Sequence, residues 1–402
     1  MLCNCKRTGI TTKERIIQET LKLVAQKNFE DISLSEIAKR VGITKPGIFR
    51  HFKNKEDLLL QTENYYYDSV SLLLQEIHKN AKEECSEGAL YNILTYVLNH
   101  EEFFFYLIKK TVADSSFEEK LKINLQQRKV NVETACNGHP SHIFATITIF
   151  FFVLQRFDKM KTLGELVVPS VEEYVKFILS FLNEGWKEIQ PLDPERKKEL
   201  DQLSKINEEE FPEKNKFFSA LAEVIVENGV PGVTIERMAT KLGMAKSSLY
   251  STFKNKEDLV TKLVKSQLLH MSTAINKRAF MVNTPSEVLY VQMKTQMEYF
   301  LHQEEIIPIC GWLRLKAGDQ IAEIKPQLKE GKDFWEQLAT TFPEDVMKFD
   351  ATSLVSWISL LVISMIIHGR RYGLSDMQLR ESISDIHYMI GHGVKFRRGF
   401  YE

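Results

Sequence analysis

Two cations, a histidine and a glycine are predicted on the outward side of a short helix within residues 33–58. Ile48 and Phe52 lie four residues apart, which places both on the buried side and turns their neighbours toward solvent. Lysine and arginine donate to guanine acceptors and to phosphates, and glycine lets the backbone approach a duplex. This chemistry predicts DNA contact through Thr44, Lys45, Gly47, Phe49, Arg50, His51 and, against a phosphate, Lys55.

The same pattern recurs 201 residues later, within residues 234–259. Gly243 falls on Gly42, and the hexapeptide KNKEDL is repeated unchanged. A six-residue identity at constant register indicates an internal duplication. We call residues 33–58 the first head and residues 234–259 the second head. The predicted DNA contacts of the second head are Lys246, Ser247, Ser248, Tyr250, Thr252 and Lys256.

Each head is predicted to fold as a helix-turn-helix. In the first head, Ser33 and Glu36 form a capping box at the start of one helix. Gly42 supplies the tight turn, and Thr44 caps the second helix, whose first turn tolerates Pro46. The cover helices that lie behind the heads are predicted at 12–27 and 215–228.

The rest of the chain is also predicted to be helical, because no segment shows the alternation of a strand. The fold class is therefore all-α, in two halves of about 200 residues each. The connector, residues 188–212, is predicted to contain a charged helix whose side chains form a solvated face. Further helices are predicted at 141–159, 169–187, 286–303, 327–341, 351–367 and 375–392.

Charge is distributed unevenly along a chain whose net charge is −1. Residues 11–57 contain ten Lys or Arg against seven Asp or Glu, a local charge of +3. The matching residues 212–258 contain seven against six, a local charge of +1. The first copy therefore has the stronger electrostatic footprint for DNA.

Other functional classes receive little support. A glycine-rich phosphate loop, a metal-spaced His and Cys cluster and a G-x-S-x-G motif are all missing, so we expect no enzymatic activity, metal or cofactor. The longest apolar runs, 143–154 and 354–367, span 12 and 14 residues, which is too short for a membrane helix. No signal-peptide core is present, and an odd number of cysteines suits reduced thiols in the cytoplasm. The cysteines are Cys3, Cys5, Cys85, Cys136 and Cys310.

Both halves resemble the TetR family of bacterial transcriptional regulators. The family pattern is a Ser or Thr cap, an Ile-Ala pair, a turn glycine, Tyr-x-x-Phe and Lys-Glu-x-Leu. It appears as Ser33, Ile37-Ala38, Gly42, Phe49-x-x-Phe52 and Lys55-Glu56-x-Leu58, and again as Thr234, Met238-Ala239, Gly243, Tyr250-x-x-Phe253 and Lys256-Glu257-x-Leu259. The resemblance implies an N-terminal DNA-binding domain, a C-terminal domain that takes a small ligand, and dimers held by a four-helix interface.

Two departures from the family pattern affect the second head. Ala245 stands where a capping Ser or Thr is usual, which costs about 1 kcal/mol of helix stability. Arg50 of the first head becomes Ser251 in the second. The second head is therefore expected to bind DNA more weakly or to read a different sequence.

Given this resemblance, the chain is predicted to be a ligand-responsive repressor of a double-stranded DNA operator, with its halves packed as a covalent pseudo-dimer through 141–186 and 351–393. Because the heads differ, the operator should be an imperfect palindrome. The rival assembly is a homodimer of chains with four heads, and the rival function is a protein–protein adaptor or small-molecule-binding protein that lost DNA binding. The predicted domains are 1–58 (first DNA-binding domain), 59–187 (first ligand-binding and dimerisation domain), 188–212 (linker), 213–259 (second DNA-binding domain) and 260–402 (second ligand-binding and dimerisation domain).

A small-molecule effector of unknown identity is expected in the helical domains. The aromatic residues of the first half suit a flat apolar or cationic ligand, and the polar residues of the second half suit an anion. Core packing is the favoured role for any single aromatic residue, and a satisfied buried network explains the polar residues equally well. The candidate pocket residues are Tyr66, Phe104, Phe151, Trp312, His368 and Arg371.

Overall fold

The computed structural model describes most of the chain, and every regular element in the described ranges is helical, which confirms the all-α fold class. The chain divides into two compact units, Met1–Thr134 and Ala135–Glu402. The described residues are 10–27, 31–80, 87–113, 116–130, 140–164, 168–211, 215–228, 232–307, 339 and 350–394. The helix predicted at 327–341, apart from Ala339, and all five cysteines lie outside them.

The unit Met1–Thr134 contains the first head and its cover helix. Its helices are α1 (Thr12–Gln26), α2 (Leu34–Val41), α3 (Lys45–Ile48), α4 (Lys55–Asn80), α5 (Glu87–Asn99), α6 (Glu101–Ala113) and α7 (Phe117–Gln127). The cover helix α1 packs against α2, α4 and α6. Ile16, Ile48, Phe52 and Leu58 are buried in one apolar cluster, which holds the head to the helices behind it.

The unit Ala135–Glu402 contains the second head together with the last two helices of the first half. Its helices are α8 (Pro140–Leu163), α9 (Val171–Glu184), α10 (Pro194–Leu203), α11 (Lys216–Asn228), α12 (Ile235–Leu242), α13 (Lys246–Tyr250), α14 (Lys256–Ala279), α15 (Pro285–His302), α16 (Ala351–Arg371) and α17 (Asp376–His392). The unit boundary falls inside the predicted domain 59–187, because α8 and α9 pack with α16 and α17.

Aromatic side chains fill the contact between α8, α9 and α16. The Trp357 ring lies 6.0 Å from Phe152 and 5.6 Å from Phe181, measured between ring centroids. The Trp357 indole N–H donates a hydrogen bond to Thr148 Oγ1 at 3.3 Å. Helices that lie about 200 residues apart in sequence therefore share one buried core.

Two reciprocal hydrogen bonds join the ends of α9 and α17. The Trp186 N–H donates to the Ile390 carbonyl at 2.6 Å, and the Val394 N–H donates to the Leu182 carbonyl at 2.7 Å. An offset of 208 residues carries Trp186 onto Val394 and Leu182 onto Ile390. The two ends thus contact each other through equivalent positions, which we call the clasp.

Glycine is required at the clasp. Gly185 and Gly393, themselves 208 residues apart, both have φ of 71°. A Cβ at Gly185 would lie less than 3.0 Å from backbone atoms of Gly391 and His392. A Cβ at Gly393 would collide in the same way with the backbone at Asn183. Only residues without a side chain let the two helix ends approach this closely.

One described helix, α16, is long and apolar enough to cross a membrane by length and composition alone. The helix spans 21 residues, which is longer than the apolar run 354–367 that it contains. Its most apolar window has a mean hydropathy of 1.9, and 61% of that window is buried inside the protein. The helix packs against α8, α15 and α17, as a core helix does.

The charged connector forms the predicted solvated face only on one side, where Glu195 and Lys198 are exposed, because its other side packs against α15. Arg196 donates to Glu287 at 2.6 Å, and Asp201 accepts from the Tyr290 hydroxyl at 2.8 Å. Asp201 also forms an ion pair with Lys294 at 2.9 Å. These partners lie about 90 residues ahead in the sequence, so no local pattern reveals them.

A buried arginine fixes the end of the connector. The Arg278 side chain is only 5% exposed and forms an ion pair with Glu210 at 2.7 Å. It also donates to the Leu203 carbonyl at 3.0 Å. Hydrogen bonds lower the pKa of Glu210 from 4.5 to about 2; the largest effect comes from Arg278, and Lys277 and the Asn207 N–H add to it. The connector is therefore an integral part of the second unit.

Candidate nucleic-acid interface

The first head has the predicted helix-turn-helix geometry. The Ser33 hydroxyl accepts from the Glu36 N–H at 3.1 Å, and Gly42 ends α2 in the left-handed conformation with φ of 78°. The Thr44 hydroxyl then accepts from the Gly47 N–H at 3.3 Å and starts α3. Both caps and the turn glycine lie where the sequence predicts them, but the reciprocal half of the predicted capping box is not formed, because the Glu36 carboxylate pairs with Lys27 at 2.7 Å.

The second helix of the first head is shorter than predicted. Regular α-helix ends at Ile48, and a turn continues to Phe52, whose N–H donates to the Ile48 carbonyl at 3.1 Å. Phe52 is nevertheless buried beside Ile48, as the four-residue spacing predicts. The helix has only four residues, and two of them, Pro46 and Gly47, have low helix propensity.

The structure brings the predicted contact residues of the first head onto one exposed surface around α3. Phe49 is 48% exposed, which is unusual for a phenylalanine next to a compact core. The exposed residues are Thr44, Lys45, Phe49, Arg50 and His51, whereas Gly47 and Lys55 are half-buried. In the described ranges, Lys45 forms no ion pair.

The second head repeats this arrangement with different side chains. The Thr234 hydroxyl accepts from the Arg237 N–H at 3.1 Å, and Gly243 is left-handed with φ of 62°. Ala245 gives α13 no side-chain cap, as its sequence predicts. The exposed residues are Lys246, Ser247, Ser248, Tyr250 and Thr252, and Lys256 is half-buried.

The repeated hexapeptide builds the same helix start twice. The Asn54 side chain accepts from the Asp57 N–H at 2.7 Å, and the Asp57 carboxylate accepts from the Lys53 N–H at 2.8 Å. The corresponding bonds in the second head are 2.8 Å and 2.9 Å. The hydrogen bond from the Lys254 N–H lowers the pKa of Asp258, as does a hydrogen bond from the Lys262 ammonium. Helix capping thus explains why both copies of the hexapeptide have asparagine and aspartate at these positions.

One polar contact of the second head was not predicted from the sequence. The Lys246 ammonium forms an ion pair with the Glu236 carboxylate at 2.7 Å. The hydrogen bond from Lys246 lowers the pKa of Glu236. The first head has Ser35 at the position of Glu236, so a comparison at the offset of 201 residues reveals the difference.

The predicted pocket residues of the first half, Tyr66, Phe104 and Phe151, are all buried. Tyr66 lies in the core of the first unit, 4.6 Å from Tyr106 between ring centroids, and Phe104 is buried in the same unit. Burial raises the pKa of Tyr66. In the second unit, Phe151 contacts Trp357 in the four-helix core.

The remaining pocket residues are His368, Arg371 and Trp312. His368 is half-buried and Arg371 is exposed, both in the last turn of α16. Trp312 lies outside the described residues. The anion site in the second half therefore stays a prediction.

An unpredicted polar strip lies on α15. Gln292, Thr295 and Gln296 occupy one helix face and are at most 1% exposed. Within the described residues, one side-chain oxygen of each has no hydrogen-bond partner. Gln296 does donate to the Ser359 hydroxyl of α16 at 2.7 Å. Buried polar atoms without partners are rare, so this strip is a candidate contact for a polar ligand or for bound water.

Neither of two surface clefts of about 300 Å³ includes a predicted pocket residue. One is lined by Phe177, Ser180, Phe181, Glu184, Gly185, Trp186, Lys187 and Glu188. The other is lined by Glu208, Asn215, Phe218, Ser219, Gln267, His302, Gln303 and Glu305. Across the described residues, no three His, Cys, Asp or Glu side chains converge to hold a metal ion.

Two helix-turn-helix units in one all-α chain, each with its own cover helix and exposed polar surface, define a helix-turn-helix DNA-binding protein. The family described as "Bacterial regulatory proteins, tetR family" matches residues 16–62 and 217–263, and each match includes one head and most of its cover helix. The chain therefore carries two tandem copies of the DNA-binding domain of the TetR family.

Relatives that are named as transcriptional regulators support the same class. The chain is 25% identical over 177 residues to the probable HTH-type transcriptional regulator YttP of Bacillus subtilis, covering 42% of this chain and 83% of YttP. It is 37% identical over 103 residues to the uncharacterized HTH-type transcriptional regulator YuxN of the same organism, and the match covers 24% of this chain and 35% of YuxN. The negative regulator IcaR of the biofilm operon icaADBC in Staphylococcus epidermidis is 25% identical over 118 residues, and the match covers 29% of this chain and 62% of IcaR. The chain is thus a DNA-binding transcriptional regulator.

Proposed function

We propose that the chain is a ligand-responsive repressor in which the two halves form a covalent pseudo-dimer and read an asymmetric pair of DNA half-sites. The clasp is the observation that carries this proposal. In a two-fold symmetric dimer, residue i contacts residue j and residue j contacts residue i. The bonds Trp186 to Ile390 and Val394 to Leu182 have this reciprocity within one chain.

The buried core between α8, α9, α16 and α17 supports the same assembly. It occupies the place of the four-helix interface that joins two subunits in the family. Because the chain supplies both sides of that interface, it needs no second copy to pair its two heads. The predicted domain boundaries fit this proposal with one change: α8 and α9 belong to the common interface as well as to the first half.

The two heads are proposed to contact DNA through unlike side chains. In the first head, Lys45 and Arg50 donate to base edges or phosphates in the major groove, beside the exposed Phe49. In the second head, Ser248 and Thr252 read the groove through short hydroxyl groups. The operator is therefore expected to have two different half-sites.

Repression is supported by the relative IcaR, whose name describes a negative regulator. A small molecule can release the operator only if it binds the DNA-competent and DNA-incompetent arrangements with different affinities. The polar strip on α15 suits an effector that donates hydrogen bonds, since two of its free atoms are glutamine carbonyl oxygens. As for other regulators of this family, the proposed location is the cytoplasm.

Selection of binding sites from random double-stranded DNA tests the asymmetry. The proposal expects two different half-sites whose centres lie one helical turn apart, about 34–36 Å. Arg50→Ala should relax the sequence preference in one half-site only, and Thr252→Ala should relax it in the other. Recovery of a perfect palindrome, or an equal effect of Arg50→Ala on both half-sites, contradicts the proposal.

A further inference from the structure

The ion pair between Glu236 and Lys246 joins the two helices of the second head on their exposed side. Glu236 lies in the first turn of α12, and Lys246 is the first residue of α13. Their side chains are 51% and 54% exposed, so both groups remain accessible to a large ligand. The pair therefore lies on the surface of the helix-turn-helix and does not hold its core together.

The first head has no such pair. Ser35 occupies the position of Glu236, and it is exposed in the first turn of α2. Lys45 occupies the position of Lys246 and is exposed at the start of α3.

The next matched position differs in the opposite sense, because it is Glu36 in the first head and Arg237 in the second. The Glu36 carboxylate pairs with Lys27 of the cover-helix end at 2.7 Å. The heads therefore differ in whether a carboxylate pairs with the lysine that begins the second helix of the head.

A carboxylate at the position of Glu236 acts against phosphate binding. In helix-turn-helix proteins, the first helix crosses the DNA backbone and the second enters the major groove. A negative charge in the first turn of α12 repels phosphates directly and neutralises the neighbouring lysine. Each lysine that is lost to phosphate also removes about 0.9 from the slope of log affinity against log salt concentration.

We propose that Glu236 is a specificity-determining residue that prevents the second head from holding DNA through phosphate contacts alone. This inference rests on the proposed DNA-binding function. Because the Glu236 carboxylate repels phosphates, the second head contributes little affinity for random DNA. The first head supplies most of that affinity. Discrimination then depends on the groove-facing hydroxyl side chains of the second head.

Replacement of Glu236 by the residue of the first head tests the inference on the full chain. Glu236→Ser should raise the affinity for a random-sequence duplex about fivefold at low salt and steepen the salt slope by about 0.9. Ser35→Glu should make the opposite change in the first head. Fluorescence anisotropy with labelled duplexes at several salt concentrations gives both quantities, and circular dichroism melting checks that each variant folds.

A matched control separates local from global charge effects. Glu195 also forms an exposed ion pair, with Lys198 at 2.8 Å, but lies in the connector. Glu195→Ser changes the net charge by the same amount and should leave the salt slope unchanged. Addition of Lys246→Ala to Glu236→Ser should reverse most of the gain, because the freed lysine supplies the new phosphate contact.

The outcomes distinguish the two proposals. If the folded wild-type chain shows no salt-dependent DNA binding, the proposed function is wrong. If wild type binds DNA but Glu236→Ser has the wild-type affinity and slope, the inference about Glu236 is wrong while the proposed function stands. An equal gain from Glu195→Ser also overturns the inference, since the effect is then one of net charge.

Discussion

A methyl group at Gly185 should disrupt the clasp between α9 and α17. Gly185 has φ of 71° and ψ of −163°, a backbone region that is essentially restricted to glycine and costs about 1–3 kcal/mol for other residues. A Cβ there would also collide with the backbone of Gly391 and His392, which cannot rotate away as a side chain can. Separation of the helix ends loses two backbone hydrogen bonds, worth about 1 kcal/mol each. We expect Gly185→Ala to lower the free energy of unfolding by about 3–5 kcal/mol in total.

The chain provides a matched control for backbone strain alone. Gly373 has φ of 75°, and a Cβ there would meet nothing within 4 Å. Gly373→Ala should therefore cost only about 1–2 kcal/mol. Urea unfolding followed by circular dichroism measures both variants against wild type. If Gly185→Ala is no less stable than Gly373→Ala, the close contact at the clasp does not stabilise the protein and the reasoning is refuted.

Three further changes test other parts of the structure. Arg278→Met should destabilise the protein by about 3 kcal/mol near neutral pH, because it leaves Glu210 without its buried partner. The pKa of the Glu210 carboxyl is 4.5 in the unfolded chain and about 2 in the folded chain, so the stability that the ion pair contributes is present above pH 4.5 and is lost toward pH 2. Acid denaturation measures this: the difference in stability between wild type and variant should shrink toward pH 2, and a constant difference contradicts the assignment. Ala245→Thr should add the missing cap and stabilise the protein by about 1 kcal/mol in urea unfolding, and wild-type stability of this variant would show that α13 gains nothing from a cap. Arg50→Ala should weaken operator binding by about 1–3 kcal/mol in anisotropy titrations, while equal binding by wild type and variant would exclude Arg50 as a base contact.

Short-range signals made the heads predictable from sequence. The caps at Ser33 and Thr44, the left-handed Gly42 and the buried spacing of Ile48 and Phe52 all depend on residues within about a turn of one another. The repeat at a constant offset then predicted the second head without new assumptions. The length of α3 was overestimated because helix propensity over so few residues is a weak guide.

Contacts distant in sequence were not predictable in the same way. The connector looked solvated because α10 has a polar composition, yet Asp201 finds Lys294 and Arg196 finds Glu287 across the unit. Aromatic side chains do not by themselves mark a pocket, and Phe151 packs in the core around Trp357. Composition does not distinguish a ligand cavity from a packed interior, because both are lined by the same residue types.

The stoichiometry of the protein–DNA complex tests the central claim most directly. Analytical ultracentrifugation of the 46.7 kDa chain with a duplex that carries both selected half-sites measures the number of chains bound. The pseudo-dimer predicts one chain per duplex at saturation, because a single chain supplies both heads. Two chains on that duplex would show that the heads of separate molecules fill the two half-sites, which contradicts the account.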